Sequence, residues 1–511
     1  MKIDLKNLPN NPDILQRIII ALNSENQSLS EENQSLKNQL ALLKAQRFGK
    51  SSEKLDKQIE ELEQRIEANE LDAVVFDIPE NDNDLRTKAK TQPKRLKLPE
   101  HLPRENVTLN PDSECPDCGG KEFRKIADDI SETLEHVPSS FKVIRYIRPR
   151  CACNSCDKIV QAYSPSKAID KGKAGPGLLS HILVQKYCNH LPMYRQSQMY
   201  EREGVELARS TMTGWAAKCS KLLEPLVEEL KQSVFSTGQL HGDDTTVKVL
   251  APGTGKTKVG RIWCYVKDGR PWGDQTPPAI CYFYSPDRKG SRPAEHLKDF
   301  SGVFHADAYA GYDKLYISDK NPEASIEEAA CWAHMRRKFY EITVANDKAA
   351  IAISVLEEIS KIYKVESEIK GLDPDQRLQH RQQHSKERVK QLFANLKKYR
   401  DKLPQKSGTV KAINYAMNHQ EALMRFLNNG KIEIDNNAAE RAMRGIAIGR
   451  KNWTFAGSDN GGHTAANIYS LIETAKLNGI NPWLYLEKVL RVIQDYNSNK
   501  LSELLPWNIT L

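Results

Sequence analysis

Three acidic residues stand in an order that could build a metal centre for phosphate chemistry. Asp243 lies inside an alternating, strand-like run. Asp307 closes the apolar run 302–307. Glu440 follows a helix start at 434–437. A single Asp or Glu is usually a surface charge, so the order strand, strand, helix is what singles these out. Neighbouring strands lie about 4.7–4.9 Å apart, so carboxylates on two of them can converge on one ion. Carboxylates suit Mg2+ (or Mn2+) better than histidines do. Two such ions per site, about 3.5–4 Å apart, can activate an attacking oxygen and neutralise a leaving oxygen of a phosphodiester.

A second set of residues suits a softer metal. Cys115 and Cys118 form one C-x2-C knuckle, and Cys153 and Cys156 form another, with Cys151 just before it. Two knuckles together make a four-sulfur tetrahedral site for structural Zn2+. The segment between them is longer than in a short zinc ribbon. Alternation over 141–147 predicts a strand feeding the second knuckle. Cys331 and His334 form a C-x2-H pair between the second and third acids, incomplete as a zinc site and better suited to a structural or DNA-orienting role. Around the acids stand Arg336, Arg337, Lys338, Arg441, Arg444, Arg450, Lys451 and Trp453. Such a basic, aromatic-bearing surface suits phosphate contacts and base stacking.

The elements that must position these groups follow from periodicity. Residues 239–250, 260–266 and 279–284 alternate as strands, with a turn at 253–256, and a fourth strand ends at Asp307, where 308–312 starts a helix. Gly255, Lys256 and Thr257 lack the spacing and the strand-to-helix context of a phosphate loop. Three antiparallel strands followed by alternating helix and strand predict a ribonuclease-H-like α/β core whose last acid comes from a late helix. On its strand Asp244 faces away from Asp243, and its loss is expected to be the milder one. Residues 341–430 are charged, helical and interrupted by Pro374 and Pro404, which reads as an all-helical insertion.

Upstream, Leu15, Leu22, Leu29, Leu36 and Leu43 recur every seven residues, with Ile19, Asn26, Asn33 and Leu40 at the companion positions. Leu at d with a polar Asn at a favours a parallel two-stranded coil, so a homo-oligomer, dimer or higher, is expected. A helix packed on its own subunit is the competing reading. Residues 173–236 read as helices, and the turn at Gly204 before Ala208 fits a helix-turn-helix. The fold expected is multidomain α+β. It comprises a coiled coil (1–48), a second helix and basic linker (49–110), a zinc module (111–160) and a helical DNA-binding region (161–236). The catalytic core occupies 237–340 and 431–480, split by the insertion (341–430), and a C-terminal segment (481–511) follows.

Composition limits the partners. The 511 residues carry Lys+Arg 75 against Asp+Glu 67, a net +8, with a mean hydropathy of −0.61. That permits nucleic acid without demanding it. No eighteen-residue apolar run offers a membrane span, and the N-terminus lacks a signal-like apolar region. Ten cysteines without a signal point to a reducing compartment, hence a cytoplasmic location.

Taken together, RFGKSSEKL (47–55), the two knuckles, HLPMYRQ (190–196), SRPAEHL (291–297), DAYAGYDKLY (307–316), CWAHMRRKF (331–339), DNNAAERAMRGIAIGRKNWTFAGS (435–458), YSLIETAKLNGINPWLYL (469–486) and LLPWN (504–508) resemble the insertion sequence 66 family of bacterial transposases over nearly the whole chain. The resemblance implies DNA transposition by an Asp-Asp-Glu site at Asp243, Asp307 and Glu440, in a nucleoid-associated bacterial protein encoded beside small accessory proteins. The family's Asp-Glu-Thr-Pro is here Asp243-Asp244-Thr245-Thr246, which changes the local strand rather than the acid. A catalytically silent DNA-binding descendant, or a nuclease without strand transfer, carries the same residues.

Overall fold

The computed structural model describes residues 141–511 apart from 149, 153–158, 162–164, 171, 252–253, 255, 318–323, 346–348 and 511. The heptad segment, the second helix, the basic linker and Cys115, Cys118, Cys153 and Cys156 lie outside those residues. The strand expected over 141–147 is absent: Val143 and Ile147 are exposed there. The pairing begins instead at β1 (Arg150–Ala152), antiparallel to β2 (Ile159–Gln161).

Helices follow: α1 (Pro176–Tyr187), α2 (Met193–Arg202) and α3 (Arg209–Phe235). Gly204, at φ +78°, turns the chain between α2 and α3, in the left-handed region where glycine escapes the Cβ penalty. One face of α3 is apolar and buried at Met212, Ala216, Cys219, Leu223, Leu226, Val227, Leu230 and Val234. That spacing is the 3.6-residue repeat of a helix packed on a core. Arg209, Ser210, Thr211 and Thr213 at its start are exposed.

The centre is a five-stranded sheet in the order β5-β4-β3-β6-β7. β3 (Gln239–Ala251), β4 (Lys256–Lys267) and β5 (Ala279–Ser285) form an antiparallel meander, while β6 (Gly302–Ala306) and β7 (Ile326–Ala330) run parallel to β3. A short helix, α4 (Ser291–His296), precedes β6. The helix expected after Asp307 is only a 3-10 turn at Ala310–Tyr312.

Beyond β7 the chain is helical. The elements are α5 (Trp332–Ala345), α6 (Ala350–Glu368), α7 (Pro374–His380), a π-helical turn (Arg381–Ser385), α8 (Lys386–Lys402), α9 (Gly408–Asn418) and α10 (Gln420–Met424), and α5, α6, α8, α9 and α10 share a second core with the β6–β7 edge. Trp332, Phe339, Ile359, Leu396 and Ile413 are fully buried there. Two buried arginines are paired inside it: Arg381 makes a bidentate contact with Glu366 at 2.8 and 2.5 Å, and Arg377 reaches Glu433 at 2.5 Å.

The chain then returns to the sheet as α11 (Asn437–Trp453), α12 (Asp459–Leu477) and α13 (Pro482–Val492). α12 covers the edge strand β5. Ser470 Oγ accepts the Tyr282 N–H at 2.8 Å, and Thr474 Oγ1 bonds both the N–H and the carbonyl of Ile280, at 3.1 and 2.9 Å. Side-chain hydroxyls thus replace the ladder partner that an edge strand lacks. No described helix is long and apolar enough to cross a membrane.

Candidate active site

Strand pairing brings the first two acids together. In the parallel β3–β6 pair, His241 faces His305. Carrying that register two residues further sets Asp243 opposite Asp307. Because side chains alternate along a strand, His241, Asp243, His305 and Asp307 share one face. The two imidazoles stack at 5.1 Å beneath the acids, both buried. On the other face Gly242 lies against Phe304: a Cβ there would sit 2.3 Å from the ring. Glycine beside Asp243 therefore lets β3 and the Phe304 ring approach.

The third acid arrives on α11, which lies across the Asp243 face. Cys264, the cross-strand partner of Asp243, points its Sγ at the Ala439 carbonyl at 3.8 Å, and Tyr282 Oη donates to the Ala442 carbonyl at 2.9 Å. Glu440 is in the first turn of α11, where the helix dipole favours a negative charge.

Asn436 fixes that helix start. Although it occupies the cap position, its side chain makes no capping bond and turns to the sheet instead. Its Nδ2 donates to the Gly242 carbonyl at 2.8 Å, and its Oδ1 meets His241 Nδ1 at 3.0 Å. Its backbone N–H donates to Cys331 Sγ at 3.1 Å, and its carbonyl accepts the Glu440 N–H at 3.2 Å. One fully buried amide thus links the strand of Asp243, the end of β7 and the helix of Glu440.

The carboxylates repel one another. Burial, followed by the charges of Asp307, Asp244 and Glu440, pushes the Asp243 carboxyl up to about 7, against the Asp244 N–H that donates to its Oδ1 at 2.8 Å. Burial also raises Asp307, with Arg288 and His334 opposing. Asp307 Oδ1 and Glu440 Oε1 are buried without a hydrogen-bond partner. Crowded carboxylates with orphaned oxygens fit a hard divalent cation, whose charge reverses the repulsion.

Asp244, expected on the face away from Asp243, is buried and paired. Its side chain is 1% exposed, held by Arg261 at 2.7 Å and by Arg288, whose Nη2 donates to Oδ1 at 2.7 Å. The opposite face of this strand is another packed layer, not solvent. Arg288 stacks on the Tyr309 ring at 3.8 Å, and its Nη2 lies 3.9 Å from Asp307 Oδ2. Nothing in the spacing of Arg288 or Asn436 marks them; their partners are distant in sequence.

The supporting residues divide. His334 Nδ1 and Arg337 Nη2 approach Glu440 at 3.7 and 3.9 Å, and burial pushes the Cys331 thiol up to about 12. Arg336 is exposed, near the Tyr340 ring. Arg441, Arg444, Ile448 and Lys451 form an exposed stripe on α11, as residues three or four apart share a face. Arg450 instead turns inward, donating to Thr245 Oγ1 and to the Thr246 carbonyl and hydroxyl at 2.8–2.9 Å. Trp453 packs partly buried against the main core. Arg450 therefore serves the α11–β3 packing and Trp453 the core beside Tyr469, in place of the open DNA-facing position expected from their neighbours.

Profiles of known families match successive stretches of the chain. One described as "Transposase IS66 family" spans 171–464, and "IS66 C-terminal element" spans 470–507. A "zinc-finger binding domain of transposase IS66" spans 112–157, which supports a structural zinc there, and "Transposase C of IS166 homeodomain" spans 35–107. The uncharacterized protein y4hP of Sinorhizobium fredii is 36% identical over 436 residues, covering 83% of this chain and 78% of that protein. From the same organism, y4qI is 37% identical over 437 residues, covering 84% and 81%.

Proposed function

Because the chain belongs to the IS66 family of transposases, we propose that it cuts DNA at the ends of an insertion sequence and joins them to new DNA through Asp243, Asp307 and Glu440. The observation that carries this reading is the meeting of these carboxylates, with Asp307 Oδ1 and Glu440 Oε1 unpartnered. The sheet order, with one acid on the central strand, one after its parallel neighbour and one on a late helix, supports a ribonuclease-H-like core.

Asp243, Asp307 and Glu440 would hold Mg2+ or Mn2+. Such cations would supply activation of the attacking oxygen, of water for cutting and of a DNA 3′-hydroxyl for joining, and neutralisation of the leaving oxygen. The chain's own residues fix the geometry. The Asp244 N–H orients Asp243, Arg288 sets its own guanidinium beside Asp307, and Asn436 sets the start of the Glu440 helix. The exposed stripe of Arg441, Arg444 and Lys451, with Arg336 and Arg337 on α5, supplies phosphate contacts that position DNA without reading sequence. The exposed N-terminal turn of α3 after the Gly204 turn supports a helix-turn-helix contact. Cys115, Cys118, Cys153 and Cys156 would bind one Zn2+, and the leucine heptads would pair subunits so that two ends are held together. Small accessory proteins of the same element are further partners by resemblance.

A cleavage and joining assay on the element's own ends tests the reading. Wild type should cut and join with Mg2+ or Mn2+. Asp243→Ala, Asp307→Ala and Glu440→Gln should each abolish both steps and leave end binding within a few-fold. Full activity in any one of them would sink the assignment. Cutting without joining would make the protein a nuclease, and binding without cutting a silent descendant.

A further inference from the structure

Cys331 and His334 look incomplete in sequence, and the fold supplies what they lack. Cys331 Sγ, a His334 ring nitrogen and a Glu440 carboxylate oxygen all lie within 4.8 Å of one another. We propose that these three residues form a second cation site, suited to a borderline transition metal such as Zn2+, that shares Glu440 with the acid cluster.

Four observations point to this class of ligand. His334 Nδ1 and Glu440 Oε1 are 3.7 Å apart, and both atoms are buried without a hydrogen-bond partner. Ligand atoms on one tetrahedral Zn2+, with bonds of about 2.0–2.3 Å, sit about 3.3–3.6 Å apart, so small rotamer shifts close the set. The sulfur receives two backbone N–H groups, from Asn436 at 3.1 Å and from His334. A neutral thiol is a weak acceptor, whereas paired amide donors suit a ligating thiolate, as second-shell bonds orient metal ligands. Finally, Cys331 directly precedes α5, so its sulfur sits at a helix start that favours negative charge.

The donor set also separates this site from the hard-cation site. Mg2+ takes oxygen ligands. One sulfur, one imidazole and one carboxylate select Zn2+ or Co2+ and leave a fourth position open. Binding is a proton exchange: the ion forms a bond to sulfur, and the thiol proton leaves to solvent. Affinity for the ion therefore rises with pH. A Glu440 carboxylate drawn toward Cys331 and His334 is drawn from Asp243 and Asp307. Occupancy by Zn2+ would then inhibit the Mg2+-supported reaction, a consequence that rests on the transposase reading, whereas binding itself does not.

The test is metal binding to the full chain. Zinc content would be measured by elemental mass spectrometry, and Co2+ would serve as the optical probe. Wild type should hold one equivalent more than either Cys331→Ser or His334→Gln. The thiolate-to-Co2+ band of this site should persist in a Cys115→Ser/Cys118→Ser variant and vanish in Cys331→Ser. Glu440→Gln should weaken the site at least tenfold. His334 is a quarter exposed, so His334→Gln keeps the test decisive if Cys331→Ser misfolds. Equal stoichiometry and equal spectra in wild type, Cys331→Ser and His334→Gln would overturn the site. Intact Zn2+ binding without any DNA cleavage would instead overturn the transposase reading alone.

Discussion

Neighbouring aspartates on β3 should respond to neutralisation with opposite signs. Asp243 is buried among like charges, and its carboxyl titrates at about 7 against a usual 3.8. A raised carboxyl means that the fold prefers the protonated form. Stability is therefore lost as pH rises from 3.8 through 7, and the full penalty stands above that. At 1.36 kcal/mol per pH decade the penalty is at most about 4 kcal/mol, and partial solvent access reduces it to roughly 1–3 kcal/mol. Asp243→Asn removes the charge and keeps an oxygen for the Asp244 N–H. It should stabilise the metal-free protein at pH 8 by that amount and by roughly a third of it at pH 5, because part of the window above 3.8 is already crossed there. Asp244 is 1% exposed between two guanidiniums. Removing one partner of a buried pair costs about 3–5 kcal/mol. Arg261 and Arg288 are 21% and 35% exposed, so about 2–3 kcal/mol is expected for Asp244→Asn. Urea midpoints followed by tryptophan fluorescence, at pH 5 and 8, would measure both. Added Mg2+ should stabilise wild type at pH 8 and leave Asp243→Asn unmoved, since only a ligand that binds the native state shifts the equilibrium. A loss of stability in Asp243→Asn at pH 8, an equal gain at pH 5, or a neutral Asp244→Asn would refute the argument.

Other outcomes follow from the same geometry. Mn2+ binding to the acid cluster, measured by calorimetry, should tighten between pH 6 and 8 with proton release, because a carboxyl near 7 must lose its proton to ligate. Asn436→Ala should cost about 2–4 kcal/mol, for a buried amide bonded to the Gly242 carbonyl and to the His241 ring, and should slow cleavage far more than an equally destabilising Ser470→Ala on α12. Glu366→Ala should destabilise the helical stretch by about 3–5 kcal/mol, because it strands buried Arg381; chemical denaturation reads this directly. Deleting residues 1–46 should lower the oligomer seen by light scattering and weaken capture of paired ends more than binding of one end.

Strand order and acid order were legible because both are local signals. The long alternation of β3, β4 and β5 fixes their bounds within a few residues, and Asp243, Asp307 and Glu440 are marked by the elements around them. β7 was not legible: two of its five residues are Glu327 and Glu328, so alternation fails, and pairing with β6 makes it a strand. The run after Asp307 carries helix-compatible residues, yet Tyr309 is tied to the Arg288 carbonyl and the chain makes only a 3-10 turn. Arg450 reads as one more basic residue in a basic helix, and only tertiary packing turns it inward. The roles of Asp244 and Asn436 depend on partners far along the chain, Arg288 for the one and His241 for the other. Periodicity carries no trace of such pairs.

The helical stretch after β7 leaves the sheet and returns to the point of departure. The Trp332 N–H donates to the Ile434 carbonyl at 3.1 Å, and the Asn436 N–H donates to Cys331 Sγ, also at 3.1 Å. Geometrically, residues 333–433 form a closed excursion whose mouth is one hydrogen bond wide. Closing a loop costs only about 0.6 kcal/mol more for each doubling of its length. The helix that carries Glu440 therefore does not register how long the detour is, provided both ends stay clamped. That seam is a natural splice point: whole modules can be gained, lost or exchanged there while Glu440 stays in place. The excursion also has an apolar core of its own, so a substituted module has to satisfy the β6–β7 edge and the two clamped ends, and to replace what His334 and Arg337 bring to Glu440 and the Gly371 N–H bond to the Pro271 carbonyl.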